Sequence, residues 1–377
     1  MDKRTFLKYS ICAACGFAVG IGRTAPAATR FLSSLAENNN EPYTRKAMHY
    51  ITTPRGVKCK LCPQACELDN GETGDCRTRI NKDGELYTLA YGNPCALHID
   101  PIEKKPLYHF LPASKTYSLA IAGCNLACLN CQNWTISQAS PTETRNYDLM
   151  PARAVKECIK HGCDSIAYTY AEPIAFYDYT YDTATIAHKE GVRNIFISAG
   201  YINEKPLREI CPKLDAANID LKSFSNEVYE MLNAGTLDPV LRTLKILKEE
   251  GVWLEITNLI VPSWTDDMDL IKKMCDWLVD NGFQDTPLHF SRFQPMYKLK
   301  NLPPTPTDTL LKAHETARKA GLHYAYIGNA PGAGHENTIC PSCNKMLIKR
   351  MGYRLAENNI KNGACAFCNE PIAGVWE

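Results

Sequence analysis

"GCNLACLNCQNW", residues 123–134, sets Cys124, Cys128 and Cys131 in a CxxxCxxC spacing and then supplies no further cysteine until Cys158. Three thiols are one short of a closed four-thiolate shell, so their surroundings decide what they serve. The residues running into them, "YSLAIAG" (117–123), read as a buried strand. More apolar runs follow: "SIAYTY" (165–170), "RNIFIS" (193–198), "ANIDL" (217–221), "WLEITNLIV" (253–261) and "LHFSRF" (288–293). Helical patterning fills most of the gaps, as at 152–161, 239–250 and 267–281. Strand and helix in alternation imply parallel strands joined by right-handed crossovers. The expected fold class is therefore α/β, a partial (β/α)6 parallel barrel.

Such barrels build their active site at the carboxyl ends of the strands. Here each strand runs into a distinctive turn: after the three-cysteine loop come "AEP" (171–173), "SAGY" (198–201), "DLKSF" (220–224), "VPSWTDD" (261–267) and "QPMY" (294–297). One rim collects the polar chemistry. A cubane 4Fe-4S cluster usually takes cysteine thiolates as ligands, so a loop offering three leaves one iron open to a ligand that is not protein. S-adenosylmethionine (SAM) can chelate that iron through its amino and carboxylate groups. An electron from the cluster then breaks the SAM sulfur–carbon bond to give a 5′-deoxyadenosyl radical, while the protein binds and orients. The competing reading is a zinc loop that borrows its fourth ligand from elsewhere.

CxxxCxxC after a barrel strand resembles the radical SAM superfamily signature. Asn130 departs from it, standing before the last cysteine where an aromatic is more common. "DPIEKKPLYHFLP" (100–112), "CQNWTIS" (131–137), "YTYAEP" (168–173), "IDLKSF" (219–224), "HFSRFQPMYKL" (289–299), "PPTP" (303–306) and "GNAPGAGHENTICPSC" (328–343) narrow the resemblance. Together they resemble the AmmeMemoRadiSam system radical SAM enzymes, relatives of the enzymes that activate pyruvate formate-lyase. The resemblance implies that Glu172 meets the methionine amino group, through a charge-assisted contact. It places Asp220 and Lys222 near the ribose and the methionine carboxylate. A helix-capping Glu172 and a simple Asp220–Lys222 ion pair are the plainer alternatives. Gln294 stands where many relatives place a histidine, and no role passes to it; His289 reads as a core histidine.

Two four-cysteine sets flank the barrel. "CPSC" and "CAFC" supply Cys340, Cys343, Cys365 and Cys368, which resembles a zinc ribbon, with an auxiliary cluster as the rival occupant. Upstream, "VKCKLCPQACELDNGETGDCRTR" supplies Cys59, Cys62, Cys66 and Cys76, a closed site for zinc or a second cluster. Cys95, Cys158, Cys163, Cys211 and Cys275 read mostly as small buried hydrophobes. Lys104, Lys105 and His109 could line the mouth of the site, with a solvated basic turn as the plainer account.

With 377 residues, 45% of them hydrophobic, the chain can bury a large core. A net charge of +1 gives no basic footprint for nucleic acid. The 18 cysteines fall in short-spaced sets, which favours metal over disulfides. The start, "MDKRTFLKYSICAACGFAVGIGRTAPA", resembles a twin-arginine export signal, and its apolar run is too short to span a membrane. The expected organisation is a leader and linker at 1–40, a four-cysteine metal-binding segment at 41–112, the partial barrel at 113–330 and a zinc-ribbon-like segment at 331–377. SAM and strong reductants are cytoplasmic resources, so the expected compartment is the cytoplasm, against the hint of export in the leader. A radical SAM enzyme that abstracts hydrogen from an unidentified substrate is the leading reading; a glycyl-radical activating enzyme and a non-catalytic metal-binding scaffold are the alternatives. An electron donor is expected in any catalytic case. The resemblance adds Memo-type and AMMECR-type partner proteins.

Overall fold

A computed structural model describes residues 41–377. The twin-arginine-like leader lies outside them. The apolar runs become the strands of one eight-stranded sheet: β1 (Ala96–Pro101), β2 (Lys115–Ala120), β3 (Ser165–Tyr168), β4 (Arg193–Ser198), β5 (Ala216–Asp220), β6 (Trp253–Ile260), β7 (Leu288–Arg292) and β8 (Ala325–Gly328). Strand order in space equals order in sequence. From β2 to β8 every neighbour is parallel, and β1 alone runs antiparallel, along β2. The sheet stays open, because β1 and β8 form its two margins and do not pair. This is the α/β partial barrel expected, with one strand added at each end.

The sequence explains the architecture locally. Every residue of β3 is buried, as a strand covered on both faces requires, and so it reads as a continuous apolar run. Between the strands lie α1 (Pro151–Lys160), α2 (Tyr177–Lys189), α3 (Glu204–Ile210), α4 (Leu237–Glu249), α5 (Met268–Asp280) and α6 (Thr307–Ala320). Pro151 opens α1, where its missing N–H costs nothing. Asp267 caps α5 by accepting from the N–H groups of Asp269 and Leu270. Gly321 ends α6 at φ 107°, a left-handed turn that glycine adopts without strain. Leu244 of α4, Leu278 of α5 and Leu310 of α6 share one core with Ile219, Ile256 and Leu288 of the sheet. That core also takes in Leu61 and Leu68 from the cysteine-rich segment ahead of the barrel.

Two small antiparallel sheets build the N-terminal segment. One joins Tyr50–Thr53, Gly56–Cys59 and Glu67–Leu68; the other joins Arg45–Lys46, Glu85–Thr88 and Arg79–Lys82. At the other end, Thr338–Ile339, Met346–Met351 and Arg354–Asn358 form a three-stranded sheet, followed by a hairpin of Ile360–Lys361 with Ala364–Cys365. This C-terminal segment packs against β8 and against the segment that follows β1. The buried Arg350 donates to the carbonyl of Tyr108 at 2.8 Å, and the Val375 N–H donates to the carbonyl of His109 at 2.7 Å. Among the described residues no helix is long and apolar enough to cross a membrane.

Candidate active site

The carboxyl ends of the parallel strands surround a cleft of about 570 Å³, a size suited to a small molecule of nucleoside dimensions. The loop after β2 delivers Cys124, Cys128 and Cys131 to its wall, and the turn after β3 delivers Glu172. The ends of β4 and β5 add Ser198, Asp220 and Lys222. The three thiols, the carboxylate and the ion pair singled out in the sequence therefore face one space.

The cysteine loop is pinned from outside itself. The N–H groups of Ala127 and Leu129 donate to the carbonyls of Asn233 (3.0 Å) and Leu232 (2.9 Å), and the Asn233 amide donates to Cys128 Sγ at 3.2 Å. Asn130 is buried in the cleft wall, and its Oδ1 has no hydrogen-bond partner there. At Gly123 the backbone has φ 113°, and a Cβ would stand 2.4 Å from Thr78 Cγ2 and 2.6 Å from the Cys76 carbonyl oxygen. Gly123→Ala should consequently destabilise the protein by about 1–3 kcal/mol through overpacking and loosen the loop. Denaturant unfolding checks this, and an unchanged midpoint would contradict the close approach.

Glu172 is clamped rather than free. Its Oε1 accepts from Ser198 Oγ at 2.6 Å and from the Ile174 N–H at 3.2 Å, and its Oε2 accepts from the Ala199 N–H at 2.9 Å. Burial raises its pKa above the ordinary carboxylate value, with the Ser198, Ala199 and Ile174 donors opposing. A carboxylate has about four acceptor positions, so a cationic ligand group can still be received. Lys222 Nζ meets Asp220 Oδ2 at 2.8 Å. Burial lowers the Lys222 pKa, and Asp220 together with the nearby Cys128 and Tyr229 more than reverses this, holding the ammonium charged.

The structure corrects the reading of the basic turn. Lys104 is exposed, but Lys105 is 2% exposed and His109 fully buried; Lys105 is drawn in because Asp100 on β1 is itself buried and needs compensation. Lys105 Nζ donates to Asp100 at 2.6 Å and Lys104 Nζ at 2.9 Å, and the Tyr170 hydroxyl also donates to it. Burial lowers the Lys105 pKa to about 8 against the pull of Asp100. Lys104, Lys105 and Tyr170 line the cleft, whereas His109 bonds Tyr326 and the Ala373 carbonyl away from it. Tyr170, at φ 64°, was missed in the sequence, although its place directly before "AEP" was a signal. Glu255 was missed too. It is fully buried and accepts from the Tyr108 and His109 N–H groups, and its Oε2 lies 2.6 Å from His289 Nε2. His289 is thus satisfied in the core as expected, and it also borders the cleft. Gln294 is exposed.

The flanking sets differ in geometry. Cys340, Cys343, Cys365 and Cys368 bring their sulfurs within 4.8 Å of one another, with Cys340–Cys368 and Cys343–Cys365 both at 3.7 Å. A tetrahedral ion with metal–sulfur bonds of about 2.3 Å has sulfur–sulfur edges of about 3.8 Å, so this set fits a single ion. Cys59, Cys62, Cys66 and Cys76 instead surround a small cavity beside the Cys124 loop. Cys158, Cys163, Cys211 and Cys275 are buried in the core, with Cys158 Sγ donating to the Cys163 carbonyl at 3.5 Å, and burial raises the half-buried Cys95 to about 11.

A family model described as the radical SAM superfamily matches residues 119–278, the stretch that carries the three-cysteine loop, Glu172, Asp220 and Lys222. The chain belongs to the radical SAM superfamily, a superfamily of enzymes, and this membership implies a 4Fe-4S cluster and SAM. Within it, the chain belongs to one family with "Uncharacterized protein MJ0808" of Methanocaldococcus jannaschii, to which it is 44% identical over 331 residues, 87% of this chain and 98% of that protein. It is also 23% identical over 164 residues to pyruvate formate-lyase 1-activating enzyme of Escherichia coli K12, covering 42% of this chain and 67% of the relative. Among solved structures, Streptococcus suis SuiB bound to S-adenosylmethionine aligns with a TM-score of 0.46 at 13% identity, over 62% of this chain and 53% of that one.

Proposed function

We propose that this chain is a radical SAM enzyme that generates a 5′-deoxyadenosyl radical and uses it to abstract hydrogen from a substrate held in the same cleft. The observation that carries this reading is the convergence of Cys124, Cys128 and Cys131 with Glu172, Asp220 and Lys222 on one space. When bound, the cluster supplies the electron that breaks the SAM sulfur–carbon bond. The chain's own residues do the rest. Three thiolates anchor the cluster and leave one coordination position to SAM. Glu172, held by Ser198 and Ala199, receives the methionine ammonium, Lys222 the carboxylate, and Asp220 the ribose. Lys104, Lys105 and Tyr170 lie on the same cleft and border the space left for substrate.

Anaerobic reconstitution with iron and sulfide, then dithionite and SAM, tests the reading by mass spectrometry of 5′-deoxyadenosine. Product is expected. A loaded, reducible cluster that yields none would overturn it. Glu172→Gln keeps the shape and removes the charge of a contact worth about 1.5–3 kcal/mol, so SAM should bind roughly 10- to 150-fold more weakly. Equilibrium dialysis reads this directly, and unchanged affinity would remove Glu172 from the SAM site.

The likeness to pyruvate formate-lyase 1-activating enzyme favours a second reading, an activase for a glycyl-radical enzyme. It expects a glycyl-radical EPR doublet on the partner protein. Under either reading the chain needs a low-potential electron donor, and the cytoplasm is the compartment that offers one. The AmmeMemoRadiSam assignment, with Memo-type and AMMECR-type partners, belongs to the first reading and rests on the motif resemblance. Zinc is the proposed occupant of Cys340, Cys343, Cys365 and Cys368, supported by their 3.7 Å sulfur spacing. The organisation proposed with it is a leader and linker at 1–40, a metal-binding segment at 41–112, the barrel at 113–330 and a zinc-ribbon-like segment at 331–377.

A further inference from the structure

The two flanking cysteine sets look alike in sequence and differ in space. We propose that Cys59, Cys62, Cys66 and Cys76 hold a second 4Fe-4S cluster, not zinc, in the cavity they line beside the Cys124 loop.

Three independent features carry this. The first is sulfur spacing. One zinc ion draws all four thiolates onto one centre, as the C-terminal set is already arranged to do, whereas a cubane gives each thiolate its own iron and so holds the sulfurs farther apart. Among the described residues only the C-terminal set brings three or more ligand atoms within 4.8 Å of one another. No three of Cys59, Cys62, Cys66 and Cys76 do so, and neither do Cys124, Cys128 and Cys131, the loop to which the superfamily assigns a cluster. The upstream set thus shares the wide arrangement of the cluster loop.

The second is the space itself. The four cysteines line one cavity, which Leu61, Leu68 and Ile174 complete as an apolar wall. A single ion enclosed by four touching sulfurs leaves no such cavity, while an inorganic core of iron and sulfide needs one. The third is the polar lining. Arg79 borders the cavity fully buried, and its Nη1 lies 3.8 Å from Cys59 Sγ. Its Nε is buried without a hydrogen-bond partner. Zinc bound by four thiolates brings no further acceptor, whereas the sulfides of a cluster would accept from an N–H at this wall. Asn125 also borders the cavity and follows Cys124 directly in the chain, so the two cysteine sets are neighbours across one residue.

The test counts metal in the full chain after anaerobic reconstitution. The wild type should carry about eight irons, two cubanes of four, together with zinc in the C-terminal set. The triple variant Cys124→Ala, Cys128→Ala, Cys131→Ala should keep about four irons with matching sulfide, and a reduced-cluster EPR signal that SAM does not perturb. About four irons in the wild type and none in the triple variant, with extra zinc, would overturn the inference and leave the proposed enzyme intact. About two irons in the triple variant, the content of a 2Fe-2S centre, would overturn it as well. Four irons in both proteins would uphold the upstream cluster and unseat the loop. Should the triple variant fail to fold, the wild-type count decides by itself, read with Mössbauer spectroscopy to separate cubane iron from adventitious iron.

Discussion

Cys128→Ala should reduce 5′-deoxyadenosine formation to the level of a protein-free control while leaving the fold and the C-terminal four-cysteine set in place. Cys128 is the middle anchor of the loop, and it alone receives the Asn233 amide, at 3.2 Å. The loop is held to neighbouring segments by backbone bonds from Ala127 and Leu129, which the substitution does not touch. The variant therefore keeps its shape and loses a ligand. With two thiolates left, a cubane has two irons without protein anchors, and the geometry that reserves one position for SAM is gone. Assay of product beside zinc content and circular dichroism separates this from misfolding. Full turnover by the variant would show that the cluster sits elsewhere.

The second large effect is on stability. Asp178→Ala should cost about 3–5 kcal/mol, the usual consequence of leaving one member of a buried ion pair uncompensated. Arg79 donates to Asp178 Oδ2, and neither side chain reaches solvent. The pair also organises backbone: Met48 N–H donates to Asp178 Oδ1 at 2.6 Å, and Arg79 Nη1 donates to the Met48 carbonyl at 2.6 Å. One contact therefore joins α2 of the barrel, the strand entering the cysteine cavity and the segment ahead of it. Denaturant midpoints of wild type and variant measure the loss. The double variant Arg79→Met, Asp178→Leu should recover much of it, because an apolar pair carries no uncompensated charge. A shift below about 1 kcal/mol, the value of an exposed pair, would mean that Arg79 finds another partner.

The core of the barrel was legible because strands covered on both faces are apolar over most of their length, as the middles of "SIAYTY" and "RNIFIS" are. The two marginal strands carry no such mark. β1, "ALHIDP", is half exposed, alternates poorly and contains a proline, and β8 is only four residues long. The site was legible where spacing along the chain forces proximity, as in the Cys124 loop and the Asp220–Lys222 pair. It was hidden where partners are far apart in sequence. Lys105 looks like a solvated charge until Asp100 and Tyr170 close over it, and Glu255 looks like an ordinary strand residue until His289 comes to lie beside it. Cysteine spacing located both flanking sets and could not distinguish them, since what separates one ion from a cluster is the distance between sulfurs.

The open sheet described above also sets how the molecule yields. Within the sheet, neighbouring strands are sewn together by ladders of backbone hydrogen bonds, but no ladder spans the line between β8 and β1. The segment that follows β1 is fastened there by isolated contacts instead, His109 meeting Tyr326 of β8 at 2.6 Å and accepting from the Val375 N–H at its carbonyl at 2.7 Å. A cylinder fastened along one line by buttons and everywhere else by stitching gives way at the buttons. Widening of the wall between β8 and β1 breaks no ladder of the eight-stranded sheet, whereas widening anywhere else within it must break one.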